Sequence, residues 1–384
     1  MNIFKEPHKE KDIIGIMTGT SLDSIDICLA SFKTVNSGKK MNIKYFDSFP
    51  LHIDLKNDIL NITNSPAKIN NISQLNYALA KIFADSVRKF LTKYKLTPEK
   101  IDAIGVHGQT LWHQPEKEIY CNVSTSSTFQ ALDLSAFAKL TGIPVIGNFR
   151  AGDMALGGQG APLVPVFDLE FLRSDKNIIA LNIGGISNIT YLPKEDPKEN
   201  IIAFDTGPGN MLIDLFSNLF FRKEYDDKGK IASSGSLIQE LYTELMDIEY
   251  IKRNPPKSTG RELFNFDLVE HLLVPEYEKE DVLCTLTHFT ASSIAVNTKM
   301  LDIDSGTVIA SGGGIYNDYL MLLLNQKLTG LKSISSDEIG ISSKAKEAAC
   351  FAYLAYKYIL GETGNIPSVT GASHETILGV LALQ

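Results

Sequence analysis

Residues 13–30 read IIGIMTGTSLDSIDICLA. An apolar run enters a tight turn of Gly, Ser and Thr and leaves through a second apolar run, the pattern of two strands joined by a hairpin. Residues 178–192, IIALNIGGISNITYL, repeat it around the turn NIGGISN. A second shared feature follows each hairpin. Leu75, Leu79, Ile82, Phe83, Val87, Phe90 and Leu91 recur at helical spacing, which predicts an amphipathic helix over 74–94. It leads to a strand at 101–106 and then to His107-Gly108-Gln109. In the second half, 282–301 reads as a helix, less cleanly, with Leu283, Leu286, Phe289 and Ile294 on one side. It leads to a strand at 307–310 and then to Ser311-Gly312-Gly313-Gly314. The simplest account is two related α/β domains facing each other across a cleft, each a mixed sheet with helices on its faces. Chance recurrence of hairpins and helix–strand pairs is the alternative.

The 384 residues suffice for two domains with full cores. A hydrophobic content of 44% with 21% charged residues argues against long disorder. Lys and Arg number 37 against 45 Asp and Glu, so the net charge is 37 − 45 = −8. That balance disfavours a nucleic-acid or anionic-membrane partner and leaves any anionic ligand to local donors. Cys28, Cys121, Cys284 and Cys350 are far apart, as expected of reduced thiols and not of a zinc or disulfide framework. The opening MNIFKEPHKEKD does not read as a secretory leader. No apolar run approaches the ~18 residues of a membrane span. The segment 147–165, dense in Gly and Pro over 157–165, is predicted as a hinge or cleft-lining loop. Residues 222–236 and 252–261 read as polar surface loops, and 344–360 as a helix whose alanines permit close packing. The domain break is expected at 155/156, giving domains 1–155 and 156–384, with the extreme C-terminus able to pack back on the first.

The chemistry-bearing motifs lie in the turns. MTGTSLD (17–23) offers backbone amides and the hydroxyls of Thr18, Thr20 and Ser21 for a γ-phosphate, and Asp23 for a hydrated Mg2+. Taken alone it reads slightly better as a plain polar hairpin. NIGGISN (182–188) can act likewise, and two such turns in matching positions can clamp phosphates from both sides. The glycines of SGGGIYN (311–317) allow a base or ribose to lie on the backbone, or form a plain strand-to-helix loop. In FDTGPGN (204–210), Asp205 at a strand end suits a general base, or an Asx-type turn. No P-loop or dinucleotide fingerprint is present. His107 and His113 lack a third ligand for a metal, so polar substrate contact or a satisfied structural histidine fits better. Arg150 can bind a substrate carboxylate bidentately, or form a surface ion pair.

GIMTGTSLDSID, GVHGQTLWHQP, NFRAGDMALGGQGAPLVPVFD, LNIGGISNIT, FDTGPGN, SGGGIYNDYLM, KEAACFAYLA and GNIPSVTGAS span residues 15–373. In this order they resemble the anhydro-N-acetylmuramic acid kinases, members of the sugar kinase/heat-shock ATPase/actin superfamily. The resemblance implies two duplicated actin-like (ribonuclease H-like) α/β domains around a central cleft. It implies a cytoplasmic, homodimeric enzyme of cell-wall recycling that uses ATP with Mg2+. Water and ATP would convert 1,6-anhydro-N-acetylmuramic acid to N-acetylmuramic acid 6-phosphate, with neither nucleic acid nor membrane as partner. By motif match Asp205 is the base. Gly19, Thr20, Ser21, Leu22, Asp23, Ser24, Ile25 and Asp26, with Gly184 and Gly185, are the phosphate turns, and Gly312, Gly313 and Gly314 the adenosine turn. His107, Gln109, Arg150, Gln159, Asn210 and Glu347 are the expected sugar contacts, and Asp23 the expected metal contact through water. Three positions depart from the family pattern: Ser24 replaces a usual glycine, Asn148 an aspartate, and His374 an arginine.

Opening an acetal with water normally takes a base for the water and an acid for the departing oxygen. Capture of O6 by the γ-phosphoryl group lets one carboxylate suffice, while domain closure excludes bulk water. Two other readings are a kinase of an ordinary sugar hydroxyl and an actin-like, ATP-switched structural protein. The first differs by one water in product mass; the second predicts filaments and no sugar-stimulated ATP use.

Overall fold

The structure is a computed structural model and describes residues 6, 8–19, 22–36, 38–194 and 198–384. Its first sheet is built on the 13–30 hairpin: β1 (Lys11–Met17) pairs antiparallel with β2 (Ser24–Val35), and β2 with β3 (Gly38–Pro50). On the other side of β1 lie β4 (Ala103–Val106) and β7 (Val145–Gly147), both parallel, and β13 (Val380–Ala382), antiparallel to β7. The order is β13-β7-β4-β1-β2-β3. A separate ribbon, β5 (Gln109–Tyr120) with β6 (Val123–Ala131), leaves the end of β4.

The second sheet repeats the plan. β8 (Ile178–Ile183), β9 (Ile186–Leu192) and β10 (Ile202–Pro208) form an antiparallel meander. β11 (Gly306–Ser311) and β12 (Leu331–Ser335) add in parallel on the far side of β8. The order β10-β9-β8-β11-β12 matches β3-β2-β1-β4-β7 strand for strand. Each sheet therefore has the ribonuclease H-like arrangement, and the duplication expected from the two hairpins is present in the topology.

The chain divides into two units, one holding residues up to Phe171 together with Ala345–Gln384, the other Leu172–Lys344. The sequence reading placed the break at 155/156. Two contacts explain why the first unit extends past that point and is rejoined after residue 344. On the helix Pro165–Leu172, Phe167 and Phe171 pack against Phe32 and Tyr353. The helix Lys346–Leu360 lies on the face of the first sheet where Gly15 and Gly105 are paired in register. A Cβ on Gly15 would stand 1.8 Å from the Ala348 carbonyl oxygen, and one on Gly105 2.0 Å from that of Phe351. Only glycine lets this helix sit so close. Ile14, Ile16 and Ile104 alternate to the opposite face and pack with Leu79, Phe83 and Val87 of the helix Ile69–Lys93.

In the second unit the helix Lys279–Lys299 is buried on more than one side. Ala291 and Ile294 meet the sheet residues Leu181 and Val308, while Leu283, Leu286 and Phe289 meet Leu212 and Phe216 of the helix Met211–Phe221. This explains its blurred periodicity in sequence. No helix among the described residues is long and apolar enough to cross a membrane.

Candidate active site

The second unit gathers three of the motifs read from sequence. β10 ends in the segment Asp205–Asn210, whose pairing with β9 is bulged between Asp205 and Gly207. Its backbone turns back onto the β8–β9 hairpin. The N–H groups of Gly209 and Asn210 donate to the carbonyls of Gly185 and Gly184, both at 2.8 Å. The Asn210 amide donates to the Ile183 and Gly184 carbonyls, each at 3.2 Å. A Cβ on Gly209 would fall 2.2 Å from the Gly184 oxygen, so the approach requires glycine. The 312–314 turn closes on the same hairpin. A Cβ on Gly314 would meet Ile183 Cγ2 at 2.3 Å, and one on Gly313 would lie 3.7 Å from Asn210 Nδ2. Gly184, Gly185, Asn210, Gly312, Gly313 and Gly314 thus form one glycine-lined cluster, with Asp205 on the adjoining strand.

Asp205 is half-buried and faces Asn188 across the strand pair. Burial pushes its carboxyl up to about 6, Glu262 adds to the rise, and the Thr259 N–H, donating to Oδ2 at 3.0 Å, opposes it. A carboxylate with that value is ionised at neutral pH yet remains a competent proton acceptor. Three buried side chains of the helix Lys279–Lys299 hold the turn from behind. Thr290 donates to the Gly209 carbonyl at 3.0 Å, and Ser293 and Asn297 donate to the Thr206 carbonyl at 2.6 and 3.0 Å. The sequence reading missed them, although their i, i+3, i+7 spacing marks a polar stripe on an otherwise buried helix. It also treated 252–261 as surface loop. The segment is a loop and most of it is exposed, but Lys257 within it is buried and its carbonyl accepts from Asp205 N–H at 3.1 Å. The loop covers the strand that carries Asp205.

The first unit gathers the expected sugar contacts His107, Arg150 and Glu347. Arg150 donates from Nε to His107 Nε2 at 2.9 Å and from Nη1 to the Gly160 carbonyl at 2.7 Å. His107 Nδ1 lies 2.8 Å from the Gly108 carbonyl. A carbonyl only accepts and a guanidinium only donates, so His107 is neutral with its proton on Nδ1. Burial and the neighbouring Arg150 hold it well below the usual histidine range. Burial brings Arg150 down to about 10, with Cys350, Glu347 and Asp153 acting in the opposite sense. The Phe351 ring, one helical turn beyond Glu347, packs 4.9 Å from His107. Gln109 is buried with its Oε1 unpartnered among the described residues. Gln159 is exposed, its N–H donating to the Thr370 carbonyl at 2.7 Å.

Asp153, read from sequence only as an anion beside the glycine loop, is fully buried. Its carboxylate accepts from Gly160 N–H at 2.8 Å, Asn365 Nδ2 at 2.8 Å and Thr370 Oγ1 at 2.7 Å. It ties the 157–160 loop to the C-terminal segment within this unit. Asn148, one of the three departures, opens the next helix in the left-handed region at φ 55°, which asparagine tolerates well. Ser24 begins β2 and donates to Asp26 at 2.8 Å, so it adds no backbone strain to the first turn. His374 Nδ1 lies 3.0 Å from Ser373 Oγ.

In that first turn, Leu22 N–H donates to the Gly19 carbonyl at 3.3 Å, and Leu22 and Ile25 are buried. Thr20 and Ser21 lie outside the described residues. Asp23 is exposed and pairs with Lys56 Nζ at 2.7 Å. Among the described residues no three of His, Cys, Asp and Glu gather to cage a metal. Asp23, the residue expected to meet a hydrated Mg2+, therefore offers one exposed carboxylate that already carries the Lys56 ammonium.

The sequence model for anhydro-N-acetylmuramic acid kinase matches residues 11–384. A Bacillus cereus protein of that name is 41% identical over 380 residues, covering 96% of this chain and 97% of the relative. A Bacillus thuringiensis protein of the same name is 40% identical over 383 residues, covering 96% and 97%. Among solved structures, the activator of the 2-hydroxyisocaproyl-CoA dehydratase from Clostridium difficile with bound ADPNP aligns with a TM-score of 0.44. It shows 12% identity and covers 91% of this chain and 95% of that one.

Proposed function

The chain belongs to the anhydro-N-acetylmuramic acid kinase family and is an ATP-using sugar kinase, and from this we propose that it opens 1,6-anhydro-N-acetylmuramic acid with water while phosphorylating O6. The products are N-acetylmuramic acid 6-phosphate and ADP. Asp205 accepts a proton from water as the water oxygen bonds to C1. The C1–O6 bond breaks, O6 bonds to the γ-phosphorus, and the bond from that phosphorus to the β-γ bridging oxygen breaks. The phosphoryl group takes the place of the acid that a glycosidic oxygen otherwise needs. Backbone amides of the 19–26 and 184–185 turns hold the phosphates, and the 312–314 turn holds the adenosine. Mg2+, when bound, neutralises part of the triphosphate charge. Arg150 takes the sugar's carboxylate, with His107, Gln109, Gln159, Asn210 and Glu347 completing the contacts. The enzyme acts in the cytoplasm, in recycling of cell-wall sugars, as a homodimer.

The observation that carries this reading is Asp205. It is a half-buried carboxylate whose Oδ2 is fixed by a backbone N–H at 3.0 Å, on the strand that leads into the glycine-lined cluster. The test is incubation with ATP, Mg2+ and the anhydro sugar, followed by product mass. The expected product carries one phosphate and one added water; phosphate without the water refutes ring opening.

A further inference from the structure

We propose that Tyr250 and Lys257 are positioning residues for the reaction: together they lock the backbone of Asp205 and so hold its carboxylate in one orientation. This rests on Asp205 acting as the base.

β10 is the edge strand of its sheet, so a residue there that turns its N–H and C=O away from β9 has no strand to pair with. Asp205 gives both groups to one neighbouring segment instead. Its N–H donates to the Lys257 carbonyl at 3.1 Å, and its C=O accepts from the Tyr250 hydroxyl at 2.8 Å. The two holders are tied to each other. The Lys257 ammonium donates to the Tyr250 carbonyl at 2.9 Å and stands 4.8 Å from the centre of the Tyr250 ring. Asp205, Lys257 and Tyr250 therefore close a circuit of hydrogen bonds. The same ammonium donates to the Ile251 carbonyl at 3.3 Å, and Ile251 Cδ1 lies 3.1 Å from where a Cβ on Gly207 would stand. The short helix Glu249–Lys252 is thus seated against the bulged turn that follows Asp205. Two residues past Lys257, the Thr259 N–H donates to Asp205 Oδ2 at 3.0 Å. The segment that fixes the backbone of Asp205 therefore also fixes one carboxylate oxygen. Among the described residues Oδ1 accepts no hydrogen bond, which leaves it as the proton acceptor.

A buried ammonium is an unfavourable way to fasten a loop. That of Lys257 bonds to backbone carbonyls, and burial, with Arg253 adding to the effect, brings it down to about 8. An apolar side chain of similar length would fill the space without the desolvation penalty. It could not bond the carbonyls of the 249–252 helix, and so could not set where the Tyr250 hydroxyl stands against Asp205. That placement matters because a base acts only within hydrogen-bond reach of the proton it takes, and a displacement of about 1 Å is costly in rate.

The test uses Tyr250→Phe, which keeps the ring and removes only the donor, and Lys257→Met, which keeps the stem and removes the ammonium. Lys257→Arg is the conservative variant. kcat is expressed per ATP-binding site counted by calorimetry, so that misfolded protein does not enter the comparison. Tyr250→Phe is expected to lower kcat about five- to tenfold, the worth of one hydrogen bond. Lys257→Met is expected to lower it about 10- to 100-fold, as for a charge-assisted bond. The KM values for ATP and sugar stay near wild type in both, and Lys257→Arg recovers most of the rate. The double variant is no slower than Lys257→Met, since both changes open the same circuit. Wild-type kcat in either single variant overturns the proposal, as do an Arg variant no better than Met and losses that multiply in the double variant. Should Lys257→Met bind no ATP, Tyr250→Phe alone decides. Asp205→Asn is assayed alongside. If it keeps full turnover, the base assignment itself fails; if it is inactive while Tyr250→Phe is unaffected, only the present proposal fails.

Discussion

Replacing Asp205 with asparagine is expected to remove turnover and, at the same time, to stabilise the protein above neutral pH. The carboxyl is lifted from 3.8 to about 6, mainly by burial. At about 1.4 kcal/mol per tenfold in proton affinity, the folded state disfavours the ionised form by about 3 kcal/mol. Water reaching the half-buried group reduces the usable part to roughly 1–3 kcal/mol. Asparagine resembles the protonated acid, and its amide oxygen still accepts the bond from Thr259 N–H, so it relieves this penalty without orphaning the donor.

The pH dependence follows from the raised value. The folded protein binds this proton more tightly than the unfolded chain, so the contribution is fully present below 3.8 and is lost as pH rises through about 6. Melting curves of wild type and Asp205→Asn should nearly coincide at pH ~4 and separate by pH ~8, the variant melting higher by roughly 2–4 °C per kcal/mol. Turnover of the variant should fall by on order of 10²–10⁴, the usual contribution of a general base. Calorimetric ATP binding should stay within a few-fold of wild type. Equal separation of the melting curves at both pH values, or a less stable variant at pH ~8, refutes the burial argument. Wild-type turnover refutes the base.

Gly105→Ala places a methyl 2.0 Å from the Phe351 carbonyl oxygen, so the helix Lys346–Leu360 must lift. Thermal unfolding should show a loss of about 1–3 kcal/mol or more, and a variant as stable as wild type refutes the close approach. Asp153→Ala leaves Gly160 N–H, Asn365 and Thr370 without their acceptor. It should cost about 1–3 kcal/mol in denaturant titration and raise the KM for sugar more than that for ATP. Arg150→Lys removes the planar fork that reaches both His107 and Gly160. The sugar KM should rise about tenfold with ATP KM unchanged, and equal changes in both would refute a sugar-specific role.

What sequence made legible, and what it did not, follows from how far apart the interacting residues lie in the chain. The hairpins at 13–30 and 178–192 are local objects. Apolar alternation and turn residues specify them without help from elsewhere, and the matching strand orders follow once each is placed. The turns at 204–210 and 312–314 were visible because a turn that approaches a neighbouring backbone closely must be written in glycine. Asp153 was not legible as a hub, because two of its three partners lie 212 and 217 residues away. Thr259 and Lys257 were hidden for a related reason. A loop rich in Pro, Lys and Arg has no periodicity, so nothing local records that it folds over β10.

The return of the chain to the first unit was, by contrast, written in the sequence in a form that spacing arguments pass over. Glycine is a poor strand residue, and Gly15 and Gly105 stand inside the apolar runs of adjacent, in-register strands. A pair of such glycines vacates a strip on one face of a sheet, and a helix that fills the strip must itself be lined with small residues. The helix Lys346–Leu360 supplies Ala348, Ala352 and Ala355 at the required turn spacing, with Ala348 and Ala355 among the nearest neighbours of the two glycines. Complementary smallness on two distant segments is therefore the signal for this contact. The contact also has consequences for the site, because the same helix carries Glu347 and Phe351 toward Arg150 and His107. A substitution that enlarges any of these small residues should act on sugar affinity as well as on stability, since both depend on how closely this one helix lies against the sheet.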